Sequence, residues 1–522
     1  MCLERIIGST CKSNSSFTIN PVTTELAFPA GSTIIVQKGN KQTHFLKTGG
    51  YKTIQSLQYS YDGRFLAAGE KGKAPGIFIW QITENEPKSK YTLICKIIYH
   101  KFGTSSICFD DSGELLMSCG DHDGLVCLWN LSSAINKDKP TEITTPIASA
   151  KLKNEIVASA FLKENRAFVT AGNKHIKSWS VDKVTNQSED ERRLSRLSDA
   201  NELIKDRKVS AAAGSSGSSD SSSSLSWEGR AASLGSFRSV SFIEVACYDD
   251  RCYAISNDGQ LFCFLMVGGS NRGRLTLEKT MNLKVSLNSL FVNQKWICIT
   301  YSNGGIKFID RATLDNGFMI PKPKALGKEI ELSSEAGVTP KPQATAPELL
   351  YPDALTCAIS KDDILYTIYS DGSFIGWNFS LHPKIRKQFC DYSHNQCIWD
   401  MQILTNQNES DILQKSGLAK NCLVTCSADN TIRFWDCEQL CSGWSPDRKS
   451  SSLQNIIHID EQYQALRKLA EPPSATSGIR CFTISQDLNF IASGDRTGNL
   501  RVHHIPTSSL VTFKGKPAFF NY

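Results

Sequence analysis

The sequence predicts an all-β chain folded as a β-propeller, a ring of repeated four-stranded blades, on three observations. The block Thr425–Asp436 (TCSADNTIRFWD) reads as a strand, a tight Asp-Asn turn and a second strand closing on Trp-Asp. Asp429 and Asn430 suit the turn because short polar side chains bond nearby backbone and tolerate left-handed geometry. Ile432, Phe434 and Trp435 suit a pleated, buried surface. Variants of the block recur at a near-constant period. Upstream of many of them lies a further strand ending in an acidic or glycine turn, such as Ile107–Gly113 and Phe482–Leu488.

This block is the signature of a WD repeat, whose unit is one propeller blade. In chain order the variants are Gly69–Trp80, Ser118–Trp129, Thr170–Trp179, Ser256–Phe264, Ser302–Phe308, Ser370–Trp377 and Ser493–His503. Trp80, Trp129 and Trp179 are roughly 50 residues apart, near the ~40–45 of a WD unit with a slightly long loop. Seven units are expected near 53–82, 100–131, 148–181, 242–265, 285–310, 354–379 and 394–437. The domain reading follows: N-terminal strands in 1–52, either a closing or a second-propeller blade; a WD40 propeller over 53–437; a linker over 438–477; and the start of a second, incomplete propeller over 478–522. A lone blade cannot bury both of its faces, so the chain is expected to be a fragment.

Three insertions interrupt the repeat. Residues 185–241 are Ser-rich and expected to be disordered, and 321–352 reads as an extended Lys-Pro loop with PxxP-like pieces. Residues 438–477 contain Asp460–Glu471, expected as a short amphipathic helix with Tyr463, Leu466 and Leu469 on one side.

Composition constrains function by exclusion. Net charge is +6 over 522 residues, with no Lys/Arg block that would mark a nucleic-acid partner. The longest apolar piece, Leu261–Val267, is far short of the ~18 residues of a membrane helix and reads as a buried strand, so no membrane partner is expected. The 18 cysteines fall within strands without zinc-ligand spacing, so they read as reduced core residues. No metal or cofactor is expected.

Candidate sites are structural. His100 and His394 lie on loops entering blades, ahead of Asp123 and Asp429. In WD repeats a His, a strand hydroxyl, the turn Asp and the Trp form a buried network. His394, Thr425 or Ser427, Asp429 and Trp435 fit that pattern, as do His100, Asp123 and Trp129. A Ser-His-Asp catalytic reading is weaker, because the set recurs at inter-strand turns. Removing the Asp429 carboxylate is expected to cost ~1–3 kcal/mol. Paired carboxylates at Asp110-Asp111, Asp249-Asp250 and Asp362-Asp363 are read as turn residues. No HExxH, GxSxG or phosphate-binding loop is present, so no enzyme is expected. Ser195 and Ser198, within Arg192–Ser198 (RRLSRLS), are candidate phosphorylation sites, since Arg before Ser pairs with acidic residues of basophilic kinases.

Beyond the generic repeat, the chain resembles the WD-repeat scaffold family of mitogen-activated-protein-kinase-binding protein and the microcephaly-linked spindle-pole WD protein. Leu3–Phe17, Phe28–Val36, Asn40–Leu46, Phe168–Trp179, Lys322–Gly327, Tyr351–Ala358, Tyr392–Val424 and Ala492–Leu500 carry the resemblance. It implies a cytoplasmic, non-catalytic adaptor with two propellers and a long tail. Implied partners are c-Jun N-terminal kinases, their upstream kinases and other signalling or spindle proteins. Spindle-pole or centrosome localisation and microtubule association are implied for some members. The tail in which kinase docking and dimerisation are expected is not in this sequence. The alternative function is a nucleic-acid-associated propeller in RNA processing, which needs a basic rim with exposed aromatics.

Overall fold

The computed structural model describes residues 3, 5–39, 41–83, 89–135, 137, 139–181, 225–267, 273–320, 352–405, 418–419, 421–442, 452–459, 478–513, 516–517 and 520–521. The chain forms consecutive, mainly antiparallel sheets, most of four or five strands drawn from neighbouring sequence. The strands Thr104–Phe109, Leu115–Gly120, Leu125–Asn130 and Ala148–Lys151 show how one blade is built. Successive side chains on a strand point to opposite faces. Leu116, Cys127 and Trp129 therefore pack on the preceding blade with Phe65, Ile79 and Ile97. Their neighbours Met117, Val126 and Leu128 pack on the following blade with Phe161, Phe168 and Trp179. Both faces are buried, so the second strand is buried along its whole length.

Seven sheets close on one another through seven apolar clusters. They lie at 18–47, 54–98, 104–151, 156–231, 242–282, 287–320 and 358–392. The closing cluster joins Leu26, Phe28 and Ile35 of the first to Ile364, Ile368 and Phe374 of the seventh. Phe374 meets Phe28 edge-on with centroids 5.4 Å apart, and Phe17 at 5.9 Å. Some blades also lend a strand. Thr141–Ile143 adds a parallel fifth strand to the second sheet, and Leu225–Ser226 does the same for the third, covering edges that would otherwise stay open.

The domain boundaries differ from the sequence expectation in three places. The ring does not span 53–437: the sheet at 18–47 is its first blade, and the block Thr425–Asp436 belongs to a sheet at 398–458 outside it. That eighth sheet packs instead on the ninth, at 479–510, through Val424, Phe434, Ile457, Ile479 and Ile491. Residues 438–477 are not a plain linker, because Leu453–His458 is the eighth sheet's outer strand and Cys437–Ser442 is a short helix. Nor is the Ser-rich insertion wholly outside the fold. Trp227 is buried against Trp179, with centroids 5.2 Å apart, and Arg230–Ala231 completes the fourth blade. The expected strand at Leu261–Val267 is present within Gln260–Val267. The expected helix at Asp460–Glu471 and the loop 321–351 lie outside the described residues.

The N-terminal segment ties these parts together. Arg5 pairs with Asp391 of the seventh blade at 2.7 Å and donates to the carbonyl of Leu440, on the short helix between the last two strands of the eighth sheet. Ile7 joins the cluster of Trp435, Leu440 and Leu453. Farther on, the turn Asn14–Ser16 lies against the inner strands Ile54–Tyr59 and Thr104–Phe109. Asn14 also donates to the Leu290 carbonyl at 2.9 Å and accepts from the Cys357 N–H at 2.8 Å. The turn thus crosses the centre of the ring.

Strands within a blade approach closely where a side chain is absent. A Cβ on Gly172 would run into the Glu155 backbone carbonyl across the fourth blade's inner pair of strands. Gly172→Ala is therefore expected to destabilise the chain by about 1–3 kcal/mol through forced backbone displacement. Urea titration followed by tryptophan fluorescence checks this, and an unshifted midpoint contradicts it.

Candidate interaction site

The predicted networks assemble around buried hydroxyls. In the third blade the Trp129 indole N–H donates to Ser118 Oγ at 2.9 Å. With the imidazole proton on Nδ1, Ser118 donates to His100 Nε2 at 2.8 Å and His100 donates to Asp123 at 3.2 Å. Asp123 also accepts from the Leu125 and Lys101 N–H groups. Every polar hydrogen in the chain Trp–hydroxyl–His–carboxylate is used, which is what burial requires.

The eighth sheet repeats the arrangement. Trp435 donates to Thr425 Oγ1 at 2.8 Å, Thr425 lies 2.8 Å from His394 Nε2, and His394 Nδ1 lies 2.8 Å from Asp429. Between the two hydroxyls left open by the sequence, Thr425 occupies the centre. Ser427 instead accepts the Asp429 N–H at 3.1 Å. Sequence reasoning missed Thr431 and Arg433, which also reach Asp429, at 2.6 and 3.3 Å. Burial works to raise the Asp429 carboxyl, but His394, Arg433 and Thr431 together outweigh it and hold it at about 2. Burial depresses His394 against the opposing pull of Asp429.

A third network was also missed. Trp179 donates to Thr170 Oγ1 at 2.8 Å, and His175 Nε2 lies 2.8 Å from the same oxygen. Here the His comes from the blade's own third strand rather than from the entering loop. A signal was present: Ser118, Thr170 and Thr425 are each the first residue of a repeat block. In the seventh blade Tyr369 replaces the hydroxyl and accepts from Trp377 at 3.1 Å.

Chemically these constellations are closed. A Ser-His-Asp nucleophile must meet a substrate, yet Ser118 is fully buried and its oxygen is already bonded to Trp129 and His100. Their hydrogen bonds run within one blade and the loop that enters it. The paired carboxylates lie at turns: Asp110 accepts from the Leu115 N–H and the Ser112 hydroxyl, Asp249 and Asp363 occupy left-handed conformations at φ 53° and 54°, and Asp249 is reached by Arg311 at 3.5 Å. Most of the described cysteines are buried, and burial pushes Cys95 and Cys422 up to about 12, far from thiolate reactivity. Among the described residues no group of His, Cys, Asp and Glu is arranged to hold a metal. No described helix is long and apolar enough to cross a membrane. Ser195 and Ser198 lie outside the described residues.

Among the described residues, an accessible cleft of about 650 Å³ lies at one end of the third blade. It is bounded by the loop entering that blade, the Asp121–Gly124 turn and the connection to the fourth blade. Phe102, Leu125 and Leu152 line it together with Lys101, Lys151 and Lys153.

A family model described as "WD domain, G-beta repeat" matches residues 91–130 and 389–436. These segments hold all four residues of two of the networks above, His100 to Trp129 and His394 to Trp435. This chain is a WD-repeat protein. The pig protein named "WD repeat-containing protein 62" is 27% identical to it, over 96% of this chain and 30% of the relative. The human "Mitogen-activated protein kinase-binding protein 1" is 27% identical, over 97% of this chain and 31% of its own length. "Cilia- and flagella-associated protein 52" of Macaca fascicularis is 26% identical over 34% of this chain. The WD-repeat chain thus spans about three-tenths of the length of the first two.

Proposed function

We propose that this WD-repeat protein is a non-catalytic scaffold that binds a mitogen-activated protein kinase, with a c-Jun N-terminal kinase as the expected partner. The observation that carries the reading is the alignment with mitogen-activated protein kinase-binding protein 1. It runs through both the closed ring and the sheets that follow it. The chemistry of the fold agrees, since the His-hydroxyl-carboxylate sets are buried and committed to Trp while the loops at the blade ends stay exposed. A scaffold acts by holding partners together and raising their effective concentration. Spindle-pole association is the second role that the family resemblance suggests.

Biolayer interferometry of the full chain against purified c-Jun N-terminal kinase tests the reading. Saturable binding in the micromolar range or tighter is expected. Absence of binding at tens of micromolar kinase overturns kinase scaffolding by this polypeptide.

A further inference from the structure

Within each blade the strands run alternately up and down, so the turn between second and third strands and the connection to the next blade emerge at the same end. In the second to fourth blades these loops carry Lys71 and Lys73, Lys101, Lys153 and Lys174, all exposed. Lys151, at the last position of its strand, is exposed beside them. The carboxylates at this end are largely committed elsewhere. Asp123 is bound to His100 and two backbone N–H groups. Asp121 accepts from Gln55 and lies 3.7 Å from Lys71. Glu70 is buried and accepts from Thr48 and the Gly76 N–H. Lys101, Lys151 and Lys153 pair with no described carboxylate, so the cleft has a cationic rim, opposed by Glu155 and by the hydrogen-bonded Asp123.

Its floor has a different character. Phe102 is 53% exposed, and Leu125 and Leu152 are half-buried beneath it. A ring of lysines around an apolar floor, in about 650 Å³, suits a short segment rather than a helix or a folded surface. We propose that this cleft docks an extended acidic peptide of a protein partner, with an apolar side chain seated on Phe102 and Leu152 and flanking carboxylates facing Lys101, Lys151 and Lys153. This rests on the scaffold reading and names the surface and the partner's chemistry. Electrostatic attraction speeds encounter and fades with salt, whereas the apolar seat supplies selectivity. A nucleic acid fits less well, because the lysines form one compact patch and the chain's net charge is only +6.

The test uses the full chain and a fluorescein-labelled hexapeptide Glu-Glu-Leu-Leu-Glu-Glu, read by anisotropy at low and physiological salt. The same peptide with both Leu replaced by Gly and an oligothymidylate of equal charge serve as comparison probes. Lys151→Glu combined with Lys153→Glu is expected to weaken binding of the leucine peptide at least ten-fold. Lys361→Glu, exposed at the opposite end of the seventh blade, is expected to leave it unchanged. Both variants should melt with the parent. Binding that survives the double reversal, or that is matched by the glycine peptide or the oligothymidylate, overturns the cleft assignment and leaves the kinase measurement standing. Reversal-sensitive peptide binding without kinase binding overturns kinase scaffolding and leaves the cleft.

Discussion

Asp429→Ala is expected to lower the stability of the unit containing the eighth and ninth sheets by about 3–5 kcal/mol, the range for breaking a buried ion pair from one side. The carboxylate is 6% exposed and Arg433 only 3%. Its loss leaves the guanidinium with the Thr431 hydroxyl at 3.1 Å and a long contact to the Asp371 carbonyl, and it leaves His394 Nδ1 only the same Thr431 hydroxyl, at 3.3 Å, in place of the carboxylate at 2.8 Å. This exceeds the ~1–3 kcal/mol expected for a lost hydrogen bond alone, because the sequence reading contained no buried cation. Asp429→Asn keeps a hydrogen-bond acceptor but removes the charge, so it should fall between parent and alanine variant. Urea unfolding of the three proteins at pH 7 measures the order, and equal midpoints would sink the network's structural role. With its folded value at about 2 against an ordinary 3.8, the carboxylate's contribution is complete above pH 3.8 and is lost as pH falls through 2.

His175 gives the second large effect, and it depends on pH. Burial, with Lys177 adding to it, depresses the imidazole from 6.5 to about 4. Between these values the unfolded chain binds the proton that the folded chain refuses, so stability falls as pH drops from 6.5 towards 4 and is regained as pH rises. Over the full window the loss reaches about 3 kcal/mol, at 1.36 kcal/mol per pH unit. His175→Asn removes the titrating group, so parent and variant should differ most at pH 7 and converge at pH 4.5. Denaturant midpoints at both values decide it. A stability gap that does not change with pH would show that His175 takes up its proton without unfolding the fourth blade.

Much of the blade was legible in the sequence because its determinants are local. Turn residues such as Asn430, at φ 61°, and the two-residue alternation along Thr431–Asp436 act within one hairpin. The Trp-hydroxyl bond also stays within a repeat block, as Ser118 to Trp129 and Thr425 to Trp435 show. His175 was harder to see, because its network takes the imidazole from a different strand. Arg433 was missed for another reason: a charged residue flanked by Ile432 and Phe434 gives no sign in one dimension that it is buried.

By itself, the sequence determined that this protein is built of WD-type blades and put a Trp, a His and a turn Asp near one another in two of them, while leaving the hydroxyl between them open. Those contacts form between strands joined by a single turn or loop, so residue order specifies them. Only the tertiary structure decided where the ring closes, that 225–231 and 453–458 complete blades, and that lysines from separate loops surround one apolar cleft. The physical reason is that closure is a match between faces far apart in the chain. Strand alternation turns Phe28 and Phe374 outward from their own sheets, but it carries no information about which distant face each will meet.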